Sequence, residues 1–527
     1  MKKRKVGVID ILGRSASKTI FSRYSRANNM SIMPQVVAVW CEQAGHDVSF
    51  ACYSGPELFV GQVPDDLDIL FISAFSQNAI LAYALSSYYR SKGIVTVIGG
   101  PHSRSYPSDS IKYFDYAVGF ANKQTILDIV DECAPAEGHG QYKTSSGQPS
   151  SLPGAEERWK YIMMLADKAP IMKVIPILGS LGCPYTCSFC TDAMVPYQPL
   201  DFDAIKNELR FIYDNKPKRS IVVWHDPNFG IKFDDYLGVI EESIPPEGLS
   251  FVAETSLSLL KEENCKRLGR NGFRAILPGI ESWFDIGDKS RMRSINGQEK
   301  VKRVAEHARM ITNYIPYMQA NLILGLDADE GPEPFELTKM FVDEAPHVYP
   351  YFSLLTAYGR SAPANLQYQN EGRVLNVPFH FLNQLSAMNV RPKNYTWSEM
   401  YANICDVYAY AYSPRALTKR FFGKIGASGP HRKLTRFEML LRGATSERKD
   451  KYGYFRMMQQ KVEEPLFRKY LDGETTEVPA WYTDTVLKDL QHFREWLPEG
   501  ALYHDPNNYE QTMSFQPEQV TAGMATV

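Results

Sequence analysis

The sequence contains no apolar run approaching the ~20 residues that a membrane-crossing helix needs. It also lacks a charge excess: 58 Lys and Arg stand against 60 Asp and Glu, a net charge of −2. No global basic field exists to attract a polyanion, so a nucleic-acid partner is not expected. The N-terminus, MKKRKVGVIDILG, has the basic start of a secretion signal but not its length. Asp10 interrupts the apolar stretch and no small-residue cleavage site follows, so it reads as a first buried strand of a cytoplasmic protein. Internal repeats are missing apart from an alternation of strand and helix. Cysteine is sparse, eight residues in 527, and five of them (Cys41, Cys52, Cys133, Cys265 and Cys405) stand singly. A chain this long needs no disulfides, and single cysteines read as small buried hydrophobes.

The length calls for two or three domains. Over residues 1–135, KVGVIDI, DVSFACY, LDILFIS, VTVIGG and YAVGF read as short, apolar strands buried on both faces. Helical patterns between them predict an α/β, Rossmann-like domain with a parallel sheet. Residues 136–160, rich in Gly, Ser and Pro, read as a linker. Over 161–360 a second alternating series supplies VIPILGS, IVVWHD, LSFVAET, AILPGIE, ANLILGL and PYFSLLTAY. Six β/α units in a row predict a partial (β/α)6 barrel with its chemistry at the C-terminal strand ends. Residues 361–527 are mainly helical and aromatic, and the polar tail after Tyr509 reads as disordered.

The remaining three cysteines are packed together: Gly182-Cys183-Pro184-Tyr185-Thr186-Cys187-Ser188-Phe189-Cys190. They follow the first strand of the second series, where an active-site loop belongs. Three thiolates on one loop can converge on one metal centre, and thiolates are the usual ligands of iron–sulfur clusters. Three ligands leave one iron of a four-iron cluster open, which suits catalysis better than electron carriage. A structural zinc site is the alternative, but its usual second CxxC pair is missing.

C-x3-C-x-aromatic-C resembles the radical S-adenosylmethionine (SAM) signature, and residues 1–360 resemble the cobalamin-binding radical SAM enzymes. The resemblance implies that Cys183, Cys187 and Cys190 bind a [4Fe–4S] cluster whose open iron is chelated by SAM, with Phe189 beside the adenine. Asp226, in Trp224-His225-Asp226-Pro227-Asn228-Phe229, falls where relatives carry an acidic loop after the second strand. Glu254, ending the third strand, is placed to accept a hydrogen bond from the SAM ribose. Gly279-Ile280-Glu281-Ser282 resembles a Gly-Ile-Glu-Ser segment of these enzymes, and residues 321–327 resemble their fifth-strand segment. A carboxylate at a strand end can equally cap a helix, so both readings stay open for Glu254 and Glu281.

Three segments carry the likeness to a cobalamin domain: Ala44-Gly45-His46-Asp47-Val48, the stretch from Ser73 through Ser76 to Asn78, and Gly99-Gly100-Pro101-His102. Glycines at a sheet's C-terminal edge let backbone pass close to a ligand. By resemblance this edge holds the nucleotide tail and one face of the corrin, with His102 beside it. His46 reads as a hydrogen-bonded surface residue. The Asp-x-His-x-x-Gly element that ligates cobalt in some cobalamin proteins is missing. Gly119-Phe120-Ala121-Asn122 also lacks the acid usual after the fifth strand, so a domain that binds nothing and only supports the barrel is the alternative.

The resemblance implies C-methylation of an unactivated carbon. One SAM methylates cobalamin, and a second yields the 5′-deoxyadenosyl radical that abstracts hydrogen. A cyclase, oxidase or rearrangement enzyme, and a non-catalytic iron–sulfur or zinc protein, are the competing readings. The expected partners are an external electron donor and a small-molecule substrate. The aromatic stretch with Tyr395, Trp397, Tyr401, Tyr408, Tyr410 and Tyr412 leaves room for a lipid or polycyclic one, although most of these rings read as core. Arg391 and Lys393 read as solvated charges.

Overall fold

The computed structural model describes residues 2–13, 31–54, 59–169, 171–193, 195–284, 296–383, 387–423 and 430–506. The tail after Tyr509 lies outside them. Two parallel sheets carry the architecture. The first has the order β3-β2-β1-β4-β5-β6-β7, with β1 Lys5–Gly13, β2 Asp47–Ser54, β3 Phe59–Gly61, β4 Ile69–Ala74, β5 Val95–Gly99, β6 Tyr116–Val118 and β7 Gln141–Lys143. All neighbours are parallel except β2 and β3. Strands β2 and β4 flank β1 on opposite sides, so the chain reverses its winding there. That switch point opens a crevice beyond the carboxyl ends of β1 and β4, the place where such sheets bind ligands.

The strands differ from the expected linker at 136–160. Residues 141–143 form β7, paired in register with β6 (Tyr116↔Gln141). Residues 155–166 form a helix that packs under the same sheet, with the Phe50 and Tyr161 rings 4.5 Å apart. Gly, Ser and Pro mark the turns here but do not prevent a short edge strand from pairing.

The second sheet runs in simple sequence, β8 Lys173–Ile177, β11 Ser220–Trp224, β12 Phe251–Ser256, β13 Phe273–Glu281, β14 Tyr317–Leu324 and β15 Tyr349–Leu354, all parallel. Strands β8 and β15 stay as the two edges, as in an open (β/α)6 barrel. Amphipathic helices cover its outside. The helix Phe202–Asn215 begins where the Asp201 carboxylate accepts the Ala204 N–H at 2.7 Å, and it buries Ile205, Leu209 and Ile212, one stripe at helical spacing. On the inner face, register aligns Glu254 with Leu277, and Gly279 with Asn321.

Residues 363–496 are mainly helical. One contiguous apolar core runs from Ile9 and Tyr83 in the first unit through the barrel to Phe379, Tyr401 and Tyr482 in the last. Most of the aromatic stretch belongs to it: Trp397, Tyr401, Tyr408 and Tyr412 are buried. Tyr395 and Tyr410 instead donate to Gly331 O and to Asp343. Arg391 donates to the carbonyls of Asp472 and Gly372. No helix among the described residues is long and apolar enough to cross a membrane.

Candidate active site

The cysteine loop is pinched at its base. Strands β9 Ser180–Leu181 and β10 Gln198–Pro199 pair antiparallel, so the residues between them leave and re-enter side by side. Gly182 opens the turn with φ +67, and a Cβ there would meet Pro196 O at 2.3 Å, so only glycine fits. Asp226, just after β11, is 2% exposed and accepts the Gly179 N–H at 2.9 Å and the Ser180 hydroxyl at 2.6 Å. Its side chain therefore holds the start of the cysteine loop in place. Below it, Phe229 and Tyr236 pack around Trp224, and burying Phe229 alone stabilises this floor by roughly 2–3 kcal/mol.

Burial holds the Asp226 carboxyl at about 6, while its hydrogen-bond donors pull the other way. The folded carboxyl therefore keeps its proton to higher pH than the unfolded chain does. The stability it contributes is complete below the unfolded value of about 3.9 and is lost as pH rises through about 6. Asp226→Asn cannot titrate. In metal-free protein, the native-minus-variant stability should fall by ~2 kcal/mol between pH 4 and pH 7. A difference that stays flat across denaturation curves in that range would refute this.

The eight cysteines fall into two groups. Burial pushes the Cys41 and Cys265 thiols up to about 12 and Cys405 to about 11, and raises Cys52 and Cys133 as well. Such thiols stay protonated and inert. Cys183 and Cys187 are buried and Cys190 partly so, and Cys190 Sγ accepts the Asp192 N–H at 3.4 Å. Among the described residues no three His, Cys, Asp or Glu side chains close to the spacing of a single metal ion. A cubane takes each thiolate on a different iron, so its ligands stand farther apart than those of tetrahedral zinc.

Two other regions grip the same loop. Arg104 reaches from the helix Pro101–Ser105 to Asp192 at 3.1 Å, and Ala364 N–H donates to Ser188 O at 2.9 Å. Between the first sheet and the loop lies a cavity of about 720 Å³. Its walls include Val8 and Leu12 of β1, Ser73, Gly99 and Gly100 on the sheet side, and Gly182, Asp192 and His225 on the barrel side. Gly100 has φ +95 and lies against Ala74, while a Cβ at Gly99 would meet nothing within 4 Å and would project into open space. His225 is exposed to the cavity, and the desolvating wall around it, with Arg158 nearby, lowers its imidazole below the ordinary value.

The other predicted residues divide. Ser73, Gly99 and Gly100 line the cavity, but Ser76 and Asn78 turn inward: Asn78 is 1% exposed and donates to Ile11 O at 2.9 Å. Phe75 and Gln77, which the sequence reading passed over, take their places on the wall. The tight turn Ser76–Asn78 reverses the facing of alternate residues. His102 is set back from the cavity wall. It is fully buried, its Nε2 is 2.6 Å from the Tyr83 hydroxyl, and burial beside His504 lowers it to about 3. It packs on Phe379, behind the cavity and not in it. His46 accepts the Arg4 backbone N–H at 3.2 Å, as expected, but it is buried and not at the surface. Phe189 is half-buried on the cysteine loop, off the cavity wall. Glu254 is exposed on the inner face of β12. Glu281 ends β13 at φ +65, its carboxylate folded over Gly279, where a Cβ would meet Oε1 at 2.0 Å. A left-handed glutamate is a strained residue of the kind that gathers at functional sites.

Comparison with known proteins fits this arrangement. Residues 177–332 match the model of the radical SAM superfamily. This chain carries a radical SAM domain. It is 22% identical over 367 residues to bacteriochlorophyllide d C-12(1)-methyltransferase of Chlorobaculum tepidum, covering 67% of this chain and 73% of that one. Against the C-8(2)-methyltransferase of the same organism it is 23% identical over 309 residues, covering 56% and 66%. Among solved structures it is similar to the radical SAM methyltransferase TsrM of Kitasatospora setae with tryptophan substrate and a SAM analog bound. The TM-score is 0.53 at 13% identity, over 90% of this chain and 100% of that one. It is also similar to the cobalamin-dependent radical enzyme OxsB with aqua-cobalamin bound, with a TM-score of 0.51 at 11% identity over 93% and 84%. The fold shared with these two structures thus spans the first sheet as well as the barrel.

Proposed function

We propose that this radical SAM enzyme methylates an unactivated carbon of a ring-bearing, hydrophobic small molecule, using cobalamin. The observation that carries the proposal is the cavity, which runs without interruption from the glycine edge of the first sheet to the cysteine loop. A scaffold domain would have no reason to keep such a space, and its volume of about 720 Å³ with an open Gly99 leaves room for a large cofactor. The relatives named for bacteriochlorophyllide, and TsrM with its tryptophan, support a ring-bearing substrate.

When bound, the cluster supplies the electron that cleaves SAM to a 5′-deoxyadenosyl radical, and the corrin supplies the methyl group. The chain's own residues bind and orient. Cys183, Cys187 and Cys190 hold the cluster, Asp226 fixes the loop that presents them, and Phe189 shields the adenine. Glu254 and Glu281, at neighbouring strand ends, receive the polar groups of SAM. Ser73, Gly99 and Gly100 bed the corrin. His225, neutral at working pH, adds no charge to the cavity wall. The electron comes from an external donor in the cytoplasm.

The test is metal and product analysis on protein purified without oxygen and supplied with cobalamin. About four irons and one cobalt per chain are expected. With SAM, reductant and chlorin-type acceptors, S-adenosylhomocysteine should accumulate beside 5′-deoxyadenosine. Iron without cobalt, and 5′-deoxyadenosine alone, would instead make it a cyclase, oxidase or rearrangement enzyme.

A further inference from the structure

The largest exposed apolar side chains include three on one helical hairpin: Phe422 is 70% exposed, Leu434 67% and Phe437 54%. The hairpin consists of the helices Pro414–Phe422 and Pro430–Arg442, which pack on each other. Its inner side is ordinary core, with Leu417 and Met439 buried. On the second helix Leu434, Phe437 and Leu441 recur at i, i+3 and i+7, so they form a second apolar stripe on a face that does not meet the core. Lys433 borders this stripe beside Phe437, Glu438 borders it beside Leu434, Arg436 lies half-exposed further round the helix, and Arg415 is exposed on the partner helix.

The charge there is one-sided. Residues 412–442 hold eight Lys and Arg and a single acid, Glu438, in a chain whose net charge is −2. Glu438 is partly covered, and burial raises its carboxyl. Among the described cations of this stretch, Lys419 pairs with Asp343 at 3.0 Å, Arg442 lies 4.0 Å from Glu447 and Arg420 is buried, which leaves Arg415, Lys433 and Arg436 on the outside. The hairpin also leads directly to the catalytic unit. Arg442, ending the second helix, donates to Tyr317 and Gln319 of β14 and lies over the rings of Tyr349 and Tyr351.

We propose that this hairpin docks the enzyme on the surface of an anionic lipid bilayer, with Phe422, Leu434 and Phe437 entering the headgroup boundary and the flanking cations meeting acidic lipids. An apolar helical stripe bordered by Lys and Arg is the pattern of a helix that lies in the interface plane. A nucleic acid would meet the cations but offer nothing to a convex Leu and Phe stripe. A second copy would bring its own positive hairpin against this one. Docking is independent of the cofactors, so it stands or falls separately from the methylation proposal.

The test is flotation of the full-length protein with vesicles of phosphatidylcholine alone or mixed with phosphatidylglycerol. The protein should float with the mixed vesicles and stay below with the neutral ones. Phe422→Ser with Phe437→Ser, and separately Lys433→Glu with Arg436→Glu, should each lower partitioning at least about tenfold. Their thermal midpoints should match the native protein, because all four side chains lie outside the core. The proposal is overturned if neither vesicle binds, or if both bind equally and the substitutions change nothing. It is also overturned by tight binding of short RNA without vesicles, or by a dimer in solution that the Phe substitutions abolish.

Discussion

Cys187→Ala should leave the anaerobically reconstituted protein with well under one iron per chain, against about four in the native chain. The loop has three thiolates and no spare. Every other thiol in the protein is held protonated by burial, so none can take the vacated place. SAM cleavage should fall to background with the iron. Cys405→Ala supplies the contrast: Cys405 is buried in the helix Trp397–Ala411, and its loss should cost only a methyl-sized cavity, about 1 kcal/mol, with full iron content. Iron analysis and the broad visible absorption of the cluster read both outcomes. A Cys187→Ala protein that keeps four irons would remove the basis for the site.

Arg158→Ala should lower stability by about 3–5 kcal/mol. Arg158 is 1% exposed, and its guanidinium joins four elements. It donates to Gln35 Oε1 at 2.9 Å, to the Pro153 carbonyl at 2.9 Å, to the Pro176 carbonyl of β8 at 3.3 Å and to Glu208 Oε1 at 2.6 Å. Removing it orphans several buried acceptors and leaves the Glu208 carboxyl alone in a site where burial already raises it. The paired change Arg158→Met with Glu208→Met removes both charges at similar volume and should recover most of the loss, as buried ion pairs exchanged for apolar side chains often do. Thermal and denaturant unfolding of the two variants decide the matter. A cost below about 1 kcal/mol for Arg158→Ala would mean that the four elements hold together without it.

That residue also marks where sequence reasoning ran out. Arg158 lies within 136–160, the stretch read as a linker, yet it ties the first sheet to the barrel. Composition reports turns, and this segment has many. It does not report which side chain among them finds acceptors 123 residues earlier and 50 residues later. The strands were legible because burial on both faces writes itself as unbroken apolar runs. The cysteine loop stood out because its three thiols are close in sequence. The cavity wall was only half legible. Ser73, Gly99 and Gly100 follow strand ends, where backbone direction settles what faces the edge. Ser76, Asn78 and His102 lie one short turn further, and there a tight helix or a neighbouring aromatic side chain decides. Asp226 was found, but as a ligand-facing acid. That its donors are the loop's own backbone and hydroxyl is a matter of a few ångströms that spacing cannot convey.

The loop between Ser180 and Pro199 is touched from three directions, by Asp226 of the barrel, by Arg104 of the first unit and by Ala364 of the last. It also forms one wall of the cavity. A shared wall couples what lies on its two sides, and such coupling is reciprocal. If occupying the cavity tightens the loop's hold on its metal by some factor, the metal must tighten the hold on the cavity's occupant by the same factor. The order of loading then governs only the route, and a chain that loses either group becomes poorer at keeping the other.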